Sequence, residues 1–167
     1  MIDRAYCRTM ARYNFWQNRT LWDVLQAVGD ADALADRSLP QGSVLGTLNY
    51  LLWLDQMWLS RLFNLKAPQV AHDGAAGLTP TLPAWWAERF RADGALRMWA
   101  DTLSSVDLHG DVAFWSITSG SDVIVSRGIA VQHMFTQQVE LRARVRQVLA
   151  EMGHDLPPAA LFLMPQG

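Results

Sequence analysis

The sequence predicts an all-α protein built as a four-helix bundle, with a small β-hairpin or extended pair before the last long helix. Four segments repeat apolar residues at intervals of three and four, which is the spacing of one helix face. One short segment instead has two β-prone runs around a Gly/Ser turn. Half of the 167 residues are hydrophobic and 18% are charged, so we expect residues 1–167 to form a single domain.

The first helix is predicted from about Tyr6 to Ala27. Gly29 is expected to end it, because glycine commonly terminates helices. Residues 30–40 are polar with several small residues, and are predicted to form a loop that includes one helical turn. The apolar stripe of this helix is predicted to contain Met10, Tyr13, Trp16, Thr20, Leu21, Val24 and Leu25.

The second helix is predicted to begin after Ser43, a typical N-cap residue. Its apolar residues are too dense for a narrow stripe, so we expect it to be buried on most sides. Residues 64–83 contain several prolines and glycines and are predicted to form a long surface connection. The third helix is predicted to begin near Pro83, which suits a first helical turn. Its buried face is expected to contain Trp85, Phe90, Leu96, Trp99 and Leu103.

The predicted hairpin has one arm from Val112 to Ile117 and a second arm from Val123 to Val125. The fourth long helix is predicted from about Arg127 to Met152, closed by Gly153. One short helix is expected after Pro157.

Charge and composition exclude several classes of protein. The formal net charge is −2 and no stretch is densely basic, which argues against a nucleic-acid partner. Arg142, Arg144 and Arg146 are interpreted as a solvated helix face. Cys7 is the one cysteine, so an internal disulfide is impossible, and we expect a buried apolar role for it. With no evident signal peptide and no long apolar run, the chain is expected to be cytoplasmic and not to interact with membranes.

Three phrases in a fixed order resemble the DinB/YfiT-like family. The first is YNFWQN, starting at Tyr13, and the second is LNYLLWLDQMW, starting at Leu48. The third runs from Asp111 through the predicted hairpin into the fourth helix. The resemblance implies an up-down-down-up bundle, usually dimeric, and often a divalent metal held by three histidines. One histidine would come from the second helix and two from a His-x-x-x-His pair on the fourth.

The sequence departs from that family pattern at all three ligand positions. Tyr50, Gln137 and Leu141 stand where the histidines are expected. Leucine cannot bind a metal, a neutral amide is a poor transition-metal ligand, and tyrosine must first lose its proton. We therefore expect neither the usual metal site nor any other cofactor.

A modified site between the second and fourth helices is the alternative. His133, Gln137 and Glu140 are spaced to share one helix face, and Tyr50 could approach them, with Leu141 beside them. Such a pocket could hold a divalent metal (Zn or Ni) weakly, or could use Tyr50, His133 and Glu140 as catalytic groups. We favour a hydrogen-bond cluster in which the Tyr50 hydroxyl bonds to Gln137 or Glu140.

Other polar residues have simpler interpretations. Asp55 lies in an apolar helix, so we expect it to be paired, with Arg12 or Arg19 as the hypothesised partner. His72, His109 and His154 fall in predicted loops and are interpreted as surface residues.

The function most consistent with the sequence is a non-catalytic or ligand-binding bundle protein that has lost the metal triad. A metal- or thiol-dependent transferase or hydrolase-like enzyme is the alternative. A small molecule is the other partner considered besides a second copy of the chain. The expected homodimer contact consists of the Trp-rich faces that carry Trp53, Trp58, Trp85 and Trp86.

Overall fold

The computed structural model describes residues 2–166 and confirms the predicted bundle with its hairpin. The helices are α1 (Arg4–Leu34), α2 (Val44–Phe63), α3 (Leu82–Thr102) and α4 (Arg127–Glu151). Strands β1 (Asp111–Ser116) and β2 (Ser121–Ser126) pair antiparallel between α3 and α4. Short 3-10 turns occupy His72–Gly77, Val106–Leu108 and Leu161–Leu163. The helix expected after Pro157 is the last of these turns.

Each long helix begins at a residue whose side chain accepts a hydrogen bond from the first turn. Ser43 caps α2 as predicted, with its hydroxyl accepting from the Gly46 amide at 2.9 Å. Asp3, Thr81 and Ser126 do the same for the other three helices. These caps fix where the helices start because they satisfy amides that have no partner inside the helix.

Helix α1 does not stop at Gly29 as predicted; it kinks there and continues to Leu34. Gly29 has φ +78° and ψ 164°, a conformation open essentially to glycine alone. The kink brings Asp30 to the start of α3, where its carboxylate accepts from the Leu82 amide at 2.7 Å. The extra turn is therefore held by a contact with another helix, which local sequence does not encode.

The buried face of α1 also differs from the predicted stripe. It follows a strict alternation of three- and four-residue steps that passes through two polar residues, Asn14 and Asn18. Several residues of the predicted stripe, such as Met10 and Trp16, are only partly buried. The stripe consists of Cys7, Ala11, Asn14, Asn18, Leu21, Leu25 and Val28.

Contacts between the helices give the up-down-down-up order. Arg8 near the start of α1 pairs with Asp101 near the end of α3, so these helices are antiparallel. The Trp85 indole at the start of α3 donates to the carbonyl of Leu48 near the start of α2, so these two are parallel. Trp58, near the end of α2, lies against the first half of α4, so α2 and α4 are antiparallel.

Buried apolar residues form the core between the helices, with two corrections to the prediction. Phe90 is 53% exposed rather than buried. Trp53, Trp58 and Trp85 are buried inside the chain itself, so the prediction that they form a free contact face is wrong; Trp86 alone of that set is partly exposed. Within residues 2–166, no helix combines the length and hydrophobicity that a bilayer crossing requires.

Candidate functional site

The three positions implied as metal ligands lie along the contact between α2 and α4, and apolar packing dominates that contact. Leu141 is 5% exposed and belongs to a buried cluster with Leu51, Trp53 and Leu54. Tyr50 packs against the same cluster from its partly exposed edge. Leu141 thus fills space beside α2 with hydrocarbon, where the family pattern would place an imidazole.

The polar residues of α4 that were candidates for a pocket have other partners. Gln137 accepts a hydrogen bond from the Trp58 indole at 3.1 Å. The His133 ring lies edge-on to the same indole, with ring centroids 5.7 Å apart, and its side chain is exposed. Glu140 is exposed and forms an ion pair with Arg144, one turn along the helix.

Tyr50 bonds to neither Gln137 nor Glu140, contrary to the prediction. Its hydroxyl lies 3.3 Å from His72 Nε2, in the 3-10 turn after α2. The His72 ring packs edge-on to both Tyr50 and Trp53, each at 5.5 Å between centroids. Burial raises the pKa of the Tyr50 phenol, and the charge of Arg144 opposes that shift only in part. The hydroxyl is therefore protonated at neutral pH.

These residues do not fit a transition metal. A phenol with a raised pKa keeps its proton, the Gln137 amide oxygen is already engaged, and Leu141 has no donor atom. In the part of the chain that the structure describes, no three His, Cys, Asp or Glu residues converge as a metal site would require. The three implied ligand positions therefore do not supply the donor set of a transition-metal site.

The densest polar cluster lies inside the bundle and joins all four helices. We call it the interior ion network: Asp55, Arg89, Asp93 and Arg142, with Asn14, Asn18 and Gln138. Arg89 Nη1 lies 2.6 Å from Asp55 Oδ2, and Arg89 Nη2 lies 2.7 Å from Asp93 Oδ1. Gln138 of α4 donates to the other oxygen of Asp55 at 2.9 Å. One guanidinium thus links two carboxylates on two helices.

The asparagines of α1 complete the network. Asn14 donates to Asp93 at 2.8 Å, and its carbonyl oxygen accepts from Arg142 of α4. Asn18 donates to both oxygens of Asp93, at 3.0 and 3.1 Å. Asp93 therefore receives hydrogen bonds from two asparagines of α1 and pairs with the charge of Arg89 on its own helix.

The positive and negative charges of the interior ion network balance one another. Two carboxylates and two guanidiniums are each at most 3% exposed, and their formal charges cancel. Burial lowers the pKa of Arg142 to about 10, with Asp55 and Asp93 opposing that shift. Because desolvated charges are stable only when paired and hydrogen-bonded, we interpret the network as a structural tie and not as a site open to substrate.

Two sequence interpretations are corrected by this network. Asp55 is buried and paired as expected, but with Arg89 and not with Arg12 or Arg19. Arg142 is buried, so it does not belong to a solvated face. The signal that could have identified the network is the heptad-like stripe of α1, which places Asn14 and Asn18 at core positions.

A groove lies at the end of the bundle where α1 and α4 begin. It has a volume of about 840 Å³ and a mainly apolar lining that includes Ile2, Leu108 and Ile129. His109 and Gln132 add polar groups. This combination of size and lining suits a small amphipathic molecule.

Comparisons with known proteins identify a family. The family model described as DinB family matches residues 1–166. No curated protein and no solved structure gives a significant match.

Proposed function

This chain belongs to the DinB family, and we propose that it is a metal-independent member with a binding role in place of a catalytic one. The observation that carries the proposal is the burial of Leu141 among Leu51, Trp53 and Leu54. That packing occupies the α2–α4 contact with side chains that cannot coordinate. The interior ion network maintains the four-helix arrangement without help from a metal.

The proposed binding partners are a small molecule and a second copy of the chain. The groove at the start of α1 and α4 supports the first, because its volume of about 840 Å³ lies in the range of ligand pockets. Half-buried aromatic side chains on the outer surface support the second.

Metal content tests the proposal directly. The protein is purified without a metal-affinity tag, and its zinc and nickel are measured by mass spectrometry. We expect less than about 0.1 metal ion per chain, and no rise in melting temperature when either ion is added, because a ligand raises stability only if it binds the folded state. Stoichiometric, tightly held zinc or nickel would overturn the proposal.

A variant with the family histidines restored serves as the positive control. It combines Tyr50→His, Gln137→His and Leu141→His, which returns imidazoles to one helix position on α2 and to an i, i+4 pair on α4. We expect this variant to bind zinc or nickel and to be stabilised by it. Equal responses of the wild type and the variant would show that these positions do not govern metal binding.

An enzyme with a modified site is the second candidate, and the contact of Tyr50 with His72 favours it. A phenol within 3.3 Å of an imidazole nitrogen can exchange a proton with it. The test measures turnover of low-molecular-weight thiols with electrophiles, for the wild type and for Tyr50→Phe, His72→Gln and Glu140→Gln. Turnover that depends on Tyr50 and His72 supports this candidate. Turnover unchanged in all three variants removes these residues from any mechanism.

A further inference from the structure

Four aromatic side chains form a continuous row on the outer surface between α1 and α3. We call this row the aromatic face: Phe15, Trp22, Trp86 and Phe90. Trp22 stacks on Trp86 with centroids 5.4 Å apart and planes within 3°. Trp86 contacts Phe90 at 5.8 Å, and Phe90 contacts Phe15 at 6.1 Å. The rings thus touch in sequence along the groove between the two helices.

The aromatic face remains partly open to solvent. Phe90 is 53% exposed and the neighbouring Met98 is 54% exposed, while Phe15, Trp22 and Trp86 are half-buried. Isolated exposed apolar residues are ordinary, but a contiguous aromatic row is typical of contact surfaces. The helical pattern that predicted burial of Phe90 would be satisfied if another surface covered it.

The charges around the aromatic face argue against a highly charged partner. Arg8 pairs with Asp101 at one end, and Arg19 pairs with Asp23 at the other. Arg97 lies over the Phe15 ring, 5.2 Å from its centroid. A nucleic acid or an acidic peptide would find almost no net charge here, so the matching surface is itself apolar with paired charges at its border. A second copy of this face has those properties.

The aromatic face also has a projection and a recess side by side. Gly94 follows Phe90 by one helical turn on α3. Apart from its chain neighbours and the backbone of its own helix, no described atom would lie within 4 Å of a Cβ at Gly94. The exposed Phe90 ring is the projection and the bare backbone at Gly94 is the recess. A twofold axis passing between them would seat each Phe90 against the partner's Gly94, as isologous contacts require.

We propose that the aromatic face is the homodimer interface, with Phe90 of each protomer packed against Gly94 of the other. This proposal rests on the self-association proposed above and assigns a surface to it. The outer surface of α1 and α3 around the aromatic face reaches the lower end of the size range of stable interfaces. Helix α3 has 21 residues, which span roughly 30 Å at about 1.5 Å per residue. Two adjacent helices about 10 Å wide each give a face on the order of 600 Å² before side-chain relief is counted, close to the roughly 800 Å² that each partner buries in a standard interface.

Sedimentation velocity of the wild type and matched variants tests the proposal. The protein concentration is about 1–50 micromolar, a range in which a stable interface should keep the dimer assembled. We expect a wild-type dimer, and at least about a tenfold weaker dimer for Phe90→Glu and for Gly94→Arg. Gly94→Arg is informative because Gly94 is exposed and has room for a Cβ in the single chain, so the fold should be kept and circular dichroism should stay unchanged. Val139→Glu, at an apolar position of α4 that is 44% exposed, should leave the dimer intact.

Three results would overturn the interface: a monomeric wild type across that range, a dimer that tolerates both α3 variants, or a dimer lost only in Val139→Glu. Metal content is independent of all three. A dimer that contains stoichiometric zinc would refute the metal-independent function and leave the interface unaffected. A metal-free monomer would refute the interface and leave the metal-independent function unaffected.

Discussion

Arg89 Nη1 lies 2.6 Å from Asp55 Oδ2, and the two side chains, from parallel helices, are 1% and 2% exposed. A buried pair of this kind contributes little net stability compared with apolar residues of the same volume, because both ions lose their hydration. Removing one partner is much more costly, since the remaining charge is then buried without compensation. We therefore expect the pair to contribute more to the specific placement of α2 against α3 than to net stability.

The first prediction concerns Arg89→Met. Loss of the guanidinium leaves Asp55 and Asp93 without their cation, so we expect the free energy of unfolding to fall by about 3–5 kcal/mol. Denaturant unfolding measures this. The exposed pair of Arg19 with Asp23 supplies the control, because Arg19→Met should cost less than about 1 kcal/mol. Similar losses in both variants would contradict the structural role of the network.

The second prediction concerns Asn14→Ala. This amide donates to Asp93 and accepts from Arg142, so its removal leaves two buried ions each short of a hydrogen bond. We expect a loss of about 2–6 kcal/mol, given about 1–3 kcal/mol for each of the two unsatisfied buried groups. Gln26→Ala, at an exposed position of the same helix, should change stability by less than about 0.5 kcal/mol. An Asn14→Ala variant as stable as that control would refute the prediction.

The third prediction compares two glycines of opposite character. Gly29 has φ +78° at the kink of α1, so Gly29→Ala should cost about 1–3 kcal/mol. Gly94 lies within α3, and a Cβ there would have open space in the single chain. In the Phe90→Glu background, where we expect a weakened dimer, Gly94→Ala should therefore stabilise by up to about 1 kcal/mol through helix propensity. Thermal unfolding of both variants checks the signs. Stabilisation by Gly29→Ala would show that α1 is not kinked there.

The fourth prediction is a pH dependence that arises from Cys7. Burial raises the pKa of this thiol to about 11, from an ordinary value of 9. The folded state then holds the proton over a range in which the unfolded chain releases it. The contribution of the thiol to stability is therefore complete below pH 9 and is lost as the pH rises through about 11.

Two measurements check that dependence. Between pH 9 and 11, the free energy of unfolding of the wild type should fall more steeply than that of Cys7→Ala. At pH 8, the folded protein should also react far more slowly with iodoacetamide than the denatured chain, since Cys7 is fully buried. Parallel pH profiles for the wild type and Cys7→Ala, or rapid alkylation of the folded protein, would count against a buried neutral thiol.

The sequence was sufficient for the features that local patterns encode. Apolar spacing identified four helices, Ser43 and Pro83 marked two helix starts, and the β-prone runs identified the hairpin. The departures at Gly29 and at Arg142 involve partners far apart in the chain. Arg142 resembles a surface residue until Asn14 is placed beside it, and the turn after Gly29 depends on a contact 52 residues away.

The candidate site was less predictable than the fold. Ligand positions could be assigned by resemblance, but the hydrogen bond of Tyr50 could not, because His72 lies in a connection with no repeating pattern. The predicted burial of Phe90 is wrong for a different reason. Helical spacing indicates that a residue faces a neighbour, and it does not say whether that neighbour belongs to the same chain.

The interior ion network has an evolutionary consequence. Its members are distinct from Tyr50, Gln137 and Leu141, so mutations at those three positions can accumulate without loosening the tie that unites the helices. In a bundle organised in this way, the residues that bind or react can change while selection for folding alone preserves the helix arrangement.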